Sequence, residues 1–300
     1  MLRVIFFGAR GVEFSGRHFV RICETDAEVA AVVDSPSGAV DSTNIETGIG
    51  SIDVAAASLG VPLFRPTTPR DPDFIEEMSA LKPDLIVSAG YWGILSQRLL
   101  EIPRIASVNF HGSLLPRHCG KHPVFWTLWH GDRKTGITVH HMDAGIDTGD
   151  IAYVKRVKVL PKDTVPVLYD RIINASMPLV DRLIRDAKEG RVPGKHQPKK
   201  GYSYNFDLTE RDFKLDFSRP AWLLEQRVRI LKNRLYFEYR GRKWIVLKCK
   251  AQNFNSPSGK KGEPVFKADC VELNTSEGSL LVYAVSDGKN ELKPARIMEV

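Results

Sequence analysis

Asn109 and His111 stand two apart on the run Ala106-Ser107-Val108-Asn109-Phe110-His111, which leads into Gly112-Ser113-Leu114-Leu115-Pro116. A second polar segment, Met142-Asp143-Ala144-Gly145-Ile146-Asp147-Thr148-Gly149-Asp150, follows further along. Together they supply an amide, an imidazole and a carboxylate in an otherwise apolar setting, the equipment for moving an acyl group onto an amine. Amide and imidazole N–H groups can stabilise the oxyanion of such a reaction, and a carboxylate can take or relay the proton that the amine loses. The hydrophobic run reads as a strand buried in a sheet. On a strand, residues i and i+2 face the same way. A strand that ends near Gly112 therefore puts both polar side chains at its carboxyl end, where open α/β sheets bind their ligands.

The elements that must hold these residues follow from the pattern around them. Residues 1–160 alternate apolar runs with helical patterns, the signature of βα units on a mostly parallel sheet. Strands are expected at residues 2–7, 29–34, 85–89, 106–111 and 136–141, with helices near 53–59, 71–82 and 123–130. The turn Gly8-Ala9-Arg10-Gly11 after the first strand lacks the third glycine and the acidic partner of a dinucleotide site, and reads as a tight turn. A long helix is expected from Thr164, with Val165, Leu168, Ile172, Leu179 and Leu183 at helical spacing and a kink at Pro178. Residues 190–206, rich in Gly, Pro and Lys, read as a basic surface linker. Beyond it, Ser218 and Pro220 open a short helix carrying Ala221, Leu224, Val228 and Leu231 on one face. Strands then dominate, at 235–239, 243–248, 265–273 and 279–285. The expected architecture is α/β: a Rossmann-like, mostly parallel, doubly wound sheet over residues 1–189, and a smaller antiparallel β-barrel of OB-like type over 207–300.

Composition sets outer limits. A chain of 300 residues with 43% hydrophobic and 26% charged residues is ordinary globular material, sufficient for two domains. The apolar start is too short for a secretory signal, and nothing later approaches a membrane span, so the expectation is a cytoplasmic protein without a membrane partner. Four scattered cysteines without a CxxC pair suggest neither a disulfide framework nor a thiolate zinc site. The net charge of +7 is uneven: residues 1–150 hold 13 Lys and Arg against 18 Asp and Glu, whereas residues 151–300 hold 30 against 18. A basic C-terminal half suits a polyanion such as tRNA or a nucleotide-linked substrate, or simply a solvated surface.

The pattern Asn109-x-His111-x-Ser113-Leu114-Leu115-Pro116, with Gly120, Pro123, Gly131-Asp132, Thr135-Gly136 and Asp143-x-Gly145-x-Asp147-Thr148-Gly149-Asp150, resembles the 10-formyltetrahydrofolate-dependent formyltransferases. The resemblance continues through Gln197-Pro198-x-x-Gly201, Leu208-Thr209 and Asp216-Phe217-Ser218-Arg219-Pro220, which are similar to the linker and C-terminal domain of the methionyl-tRNA branch of that family. It implies a catalytic trio at Asn109, His111 and Asp147, with 10-formyltetrahydrofolate as donor and no resident metal. It also implies a folate pocket lined by Ser113, Leu114, Leu115 and Pro116, with Tyr91, Ile94 and Leu95 flanking the pterin and Asp143 nearby.

Two other mechanisms compete. Six of the eight histidines fall between His111 and His141, and a His/Asp cluster could hold zinc for hydrolysis. No HExxH is present, however, and Pro123 makes a loop of the His118/His122 pair. A binding module without catalysis would rest on the basic, aromatic-interleaved C-terminal half. Within formyl transfer, the acceptor divides two readings. Residues 34–48 contain no Lys or Arg, and Leu231-Lys232-Asn233-Arg234-Leu235-Tyr236 replaces the proline-tryptophan-proline turn expected of tRNA enzymes. A loop that lies against an acceptor stem should not be acidic. The leading expectation is therefore a small-molecule amine, such as an amino sugar nucleotide or an amino-acid-derived precursor, with methionyl-tRNA as the alternative.

Overall fold

The computed structural model describes residues 1–36, 51–252, 260–293 and 297, so most of the acidic 34–48 segment lies outside the described residues. Two compact units are present, one made of residues 1–124, 133–159 and 166–206, the other of 125–132, 160–165 and 207–300.

In chain order the first part of the molecule comprises β1 (Arg3–Gly8), α1 (Glu13–Cys23), β2 (Glu28–Asp34), α2 (Ile52–Leu59), β3 (Leu63–Phe64), α3 (Pro72–Ala80), β4 (Leu85–Ala89), α4 (Gln97–Leu100), β5 (Ala106–His111), β6 (Cys119–Gly120), α5 (Pro123–His130), β7 (Lys134–His141), β8 (Ile151–Lys158), α6 (Val165–Lys188) and β9 (Tyr204–Asn205). Seven strands form one sheet in the order β3-β2-β1-β4-β5-β7-β8. β1 through β5 pair in parallel, with the strand order reversing direction between β1 and β4, as in a doubly wound fold. Val4, Ile5, Phe6 and Phe7 are fully buried, as are Leu85, Ile86 and Val87, which is the continuous apolar character of strands covered on both faces.

The last two strands depart from a parallel continuation. β7 runs antiparallel to β5, pairing Val108 with His141, Asn109 with His140 and His111 with Thr138, and β8 returns antiparallel to β7. The end of β7 thus lies beside the middle of β5 and not at its carboxyl edge, which changes how the following loop must travel. Local chemistry fixes the helix starts and stops: Asp71 accepts the Asp73 N–H at 3.0 Å ahead of Pro72, and Gly60 closes α2 in the left-handed region. α6 runs unbroken through Pro178 and is tied to α1 by Arg21, which grips both oxygens of Asp181 at 2.8–2.9 Å.

The second unit contains α7 (Ala221–Ile230), β10 (Tyr236–Tyr239), β11 (Arg242–Gln252), β12 (Pro264–Phe266), β13 (Val271–Asn274), β14 (Ser279–Ser286) and β15 (Glu291–Leu292), after a short 3-10 turn at Glu210–Phe213. The sheet follows the path β10-β11-β14-β13-β12, with β15 beside β14, all antiparallel. Two register shifts in β11 bend it, and the path is an open half-barrel among the described residues. The strand expected at 265–273 is two strands, β12 and β13, joined where the Lys267 N–H donates to the Cys270 carbonyl. In the same unit α7 satisfies the end of α5. Gln226 donates to the Leu128 carbonyl, and Arg227 donates to the Trp129 carbonyl at 3.0 Å while lying 4.2 Å over its ring. Burial lowers the Arg227 guanidinium to about 10, so it stays charged at neutral pH. Among the described residues no helix is long and apolar enough to cross a membrane.

His18, fully buried on α1, packs against Phe110 and is held between the Phe14 carbonyl and the Ser176 hydroxyl. Burial is the main cause that lowers its pKa from 6.5 to about 4, the neighbouring Arg17 charge adding to it against the Phe14 carbonyl. The unfolded chain therefore binds a proton in a range where the folded chain does not, and stability falls as pH drops from about 6.5 to about 4. The expected loss from this residue is on the order of 3 kcal/mol. Denaturant titrations across this range should show a slope that His18→Gln largely removes.

Candidate active site

Asn109 and His111 project from the same face of β5 because they are two residues apart. His140, opposite Asn109 in the antiparallel register, shares that face. The loop of residues 142–150 leaves β7 beside Ser107, where the Met142 N–H donates to the Ser107 carbonyl. It then folds back over the sheet to the start of β8. This return carries Asp147 onto the three side chains.

The carboxylate is met from several directions. Gly120 N donates to Asp147 Oδ2 at 2.8 Å, His111 Nδ1 lies 3.4 Å from the same oxygen, and His140 Nε2 lies 3.3 Å from Oδ1. Asn109 Nδ2 is 3.4 Å from Oδ1 and 3.2 Å from His140 Nε2. The remaining imidazole nitrogens are committed to backbone carbonyls, which can only accept: His111 Nε2 to His118 at 2.8 Å and His140 Nδ1 to His141 at 2.8 Å. Hydrogen bonding thus puts the N–H of each ring on the side away from Asp147 and leaves the other nitrogen turned towards the carboxylate.

Burial alone would raise the Asp147 carboxyl, but its polar surroundings, the Gly120 N–H donated at 2.8 Å among them, hold it well below the usual carboxylate range. Burial also lowers His111, more than Asp147 raises it. The site at neutral pH is an anionic Asp147 facing a neutral His111. Cys119 is beside them, but burial is the main cause that pushes its thiol up to about 12, which leaves it inert as a nucleophile.

The loop that carries Asp147 closes by tight packing. Asp143 Oδ1 accepts from Gly145 N at 3.1 Å and from the Thr148 hydroxyl at 2.7 Å. A Cβ on Gly149 would stand 1.9 Å from the His141 carbonyl oxygen, so only glycine lets the hairpin bring His141 N to Asp150 O at 2.8 Å. Asp143 thus organises the turn in this structure.

The other residues expected to line a pocket fall into two groups. Tyr91 and Leu95 pack on one apolar cluster with Met142, the residue that opens the Asp147 loop, and Ile94 beside them is exposed. Tyr91 Oη is buried without a hydrogen-bond partner among the described residues; burial first, and the Asp34 charge second, push its hydroxyl up. In the second group, Ser113, Leu115 and Pro116 are buried. The Ser113 hydroxyl donates to the Arg117 carbonyl at 2.7 Å, and Leu115 N donates to the Thr138 hydroxyl at 3.2 Å. The side chain of Leu114 comes within 2.6 Å of where a Cβ on Gly136 would be.

Of the clustered histidines, His111 and His140 meet at Asp147, and His118, His130 and His141 turn to other partners. His118 Nδ1 meets the Asn205 side chain at 3.3 Å, His130 stacks on Trp126, and His141 reaches the Pro193 carbonyl at 3.0 Å. No group of three or more His, Cys, Asp or Glu side chains among the described residues is arranged to hold a metal. His140 and the Gly120 N–H are the participants that local sequence does not reveal. Only the β5–β7 register brings His140 opposite Asn109, and only the folded-back loop brings Asp147 to Gly120.

Asn109, His111 and Asp147 thus meet on one face of a doubly wound sheet. Residues 2–182 match the family described as Formyl transferase. Over 300 residues the chain is 31% identical to the methionyl-tRNA formyltransferase of Myxococcus xanthus, covering 99% of this chain and 94% of that one. The chain belongs to the formyl transferase family, whose members are enzymes that transfer formyl groups. Among solved structures, the N-formyltransferase of Helicobacter canadensis, in complex with folinic acid and dTDP-3-aminofucose, superposes with a TM-score of 0.68. It is 17% identical, covers 94% of this chain and 99% of its own, and shares the fold. Glycinamide ribonucleotide transformylase 1 of Symbiobacterium toebii matches at 25% identity over 65% of this chain and 94% of its own, with a TM-score of 0.52.

Gly149→Ala should push the loop away from His141 and lower turnover by roughly tenfold or more. Thermal melting measured on the same preparation should fall by only a few degrees, since the clash is confined to one hairpin.

Proposed function

We propose that this enzyme transfers a formyl group from 10-formyltetrahydrofolate to a primary amine, with Asn109, His111 and Asp147 at the reacting centre. The convergence of these three side chains on one face of β5 is the observation that carries the reading. The donor fits the surroundings. Tyr91, Leu95 and Met142 offer an apolar face for a flat heterocycle, and the Tyr91 hydroxyl, buried without a partner among the described residues, suits a polar ring edge. When bound, the folate supplies the formyl carbon on which the amine acts.

The chain's own residues divide the remaining work. The Asn109 amide nitrogen lies 3.2–3.4 Å from His140 and Asp147, in long bonds that a developing oxyanion can replace. One such donor is typically worth on the order of a hundredfold in rate. The anionic Asp147 attracts the positive charge that builds on the attacking amine. Asp147 Oδ2 and the bare Nδ1 of neutral His111 face each other at 3.4 Å with lone pairs opposed, and a proton arriving between them relieves that repulsion. The pair is thereby suited to receive the proton the amine must lose.

For the acceptor, the reading is a small-molecule amine. Residues 34–48 lack basic side chains, and Leu231–Tyr236 lacks the aromatic-proline turn, both poor features for a tRNA acceptor stem. Methionyl-tRNA is the second reading, favoured by the end-to-end similarity to the Myxococcus xanthus protein and by the basic C-terminal half. Tetrahydrofolate release measured with amino sugar nucleotides, amino-acid-derived amines and charged initiator tRNA in parallel decides between them. Efficient formylation of the tRNA at physiological salt would displace the small-amine reading.

Asn109→Ala and Asp147→Asn should each lower kcat at least about a hundredfold, with a combined loss smaller than the product of the two. The kcat profile should have an acidic limb below pH 6.5, the ordinary histidine value, because His111 must be neutral to accept a proton and burial lowers its pKa. As pH falls through that lowered value, His111 protonates and turnover is lost; a limb above 6.5 would assign the proton acceptor elsewhere.

A further inference from the structure

Residues 195–205 run alongside the site and are stitched to it at both ends. Lys195 exchanges backbone hydrogen bonds with Ile151 at 2.8 and 2.9 Å. Ser203 accepts from Cys119 N at 2.9 Å and donates to the Pro116 carbonyl at 3.1 Å, its hydroxyl accepts from His118 N, and β9 pairs with β6. Between these anchors Gln197 turns inward and is buried. Its single amide nitrogen donates to two carbonyls, Asp147 at 2.8 Å and Gly149 at 2.7 Å.

Those carbonyls belong to a stretch of backbone that does not hold its shape unaided. Asp147 has φ of +56°, in the left-handed region that is unfavourable for a non-glycine residue and persists only where the surroundings impose it. Besides Gln197, the Asp147 carbonyl is approached by the Cys119 thiol at 3.8 Å, a weak donor at long range. At the Asp147 carbonyl, the conformation that turns the carboxylate towards His111 and Asn109 is thus held chiefly by the Gln197 amide.

We propose that Gln197, from the segment that reads in sequence as a surface linker, is a positioning residue for formyl transfer: its amide clamps the Asp147 and Gly149 carbonyls and holds the Asp147 carboxylate in its working orientation. This rests on Asp147 belonging to the reacting centre. Gln197 itself touches no reacting atom. Its removal should therefore lower the chemical step and leave donor binding in place.

Gln197→Met keeps the volume and removes both donated bonds. With the best acceptor from the parallel assay, kcat should fall tenfold to a hundredfold, on the order of what small misplacements of reacting groups produce. KM for 10-formyltetrahydrofolate should change by less than about threefold, with rate normalised to the fraction of chains that bind the folate. Gln197→Glu adds a signature that a merely structural residue would not give. As a carboxylate it opposes two carbonyls, and on protonation it donates to one of them again, so its rate relative to wild type should rise as pH falls. Wild-type kcat per folate-binding chain in Gln197→Met, or a flat ratio across pH in Gln197→Glu, would overturn the proposal. Asp147→Asn run alongside separates the two levels. If it is inactive while Gln197→Met is normal, only the positioning role fails, and if it retains full turnover, the reading of the site fails with it.

Discussion

A carboxylate taken out of water costs several kcal/mol unless its oxygens are met by donors or opposite charge, and Asp147 is such a group. Its Oδ2 takes the Gly120 N–H at 2.8 Å and its Oδ1 faces the Asn109 amide nitrogen at 3.4 Å, with an imidazole nitrogen beside each oxygen. Its four neighbours come from three stretches of chain: Asn109 and His111 from β5, Gly120 from β6 and His140 from β7. Meeting the needs of one buried anion therefore fixes the relative placement of all of them. The low pKa of Asp147 reports that the arrangement favours the charged form despite the burial.

The antiparallel turn of β7 is what makes this economy of residues workable. A parallel β7 would deliver its loop to the carboxyl edge of the sheet, whereas the antiparallel strand delivers it beside Ser107, and the chain must return across the face to begin β8. That return is short and crowded, which is why Gly149 faces the His141 carbonyl and why Asp143 caps its own loop. The same register sets His140 against Asn109. One pairing choice thus provides both the loop that carries the carboxylate and a second imidazole beside it.

The two histidines are used in the same way, each anchored outward through one nitrogen to a backbone carbonyl and turned inward with the other. Neither is free to rotate without abandoning a buried carbonyl, which costs about as much as a lost hydrogen bond. Rigidity at the reacting centre is in this sense backbone rigidity. It is transmitted from the apolar interior of β4 and β5 through the imidazole rings to a carboxylate that itself lies on a loop.

Much of this was legible in the residues. The alternation of apolar runs and helical patterns determined the doubly wound α/β layer, and the i, i+2 spacing of Asn109 and His111 determined that they share a face. The motif through residues 143–150 singled out the carboxylate loop. Strand direction was not legible: nothing in residues 136–141 distinguishes a parallel from an antiparallel strand, because both bury the same side chains. His140 was hidden for that reason, since its partner across β5 depends on a pairing made over an intervening helix. Gln197 stood in a stretch whose Gly, Pro and Lys content describes an exposed linker, and its two bonds to Asp147 and Gly149 span some fifty residues of sequence. Composition and periodicity register which side chains avoid water, and they determined the layers and the chemistry available. Which donor meets which buried acceptor is a matter of long-range geometry, and the tertiary structure alone decided it.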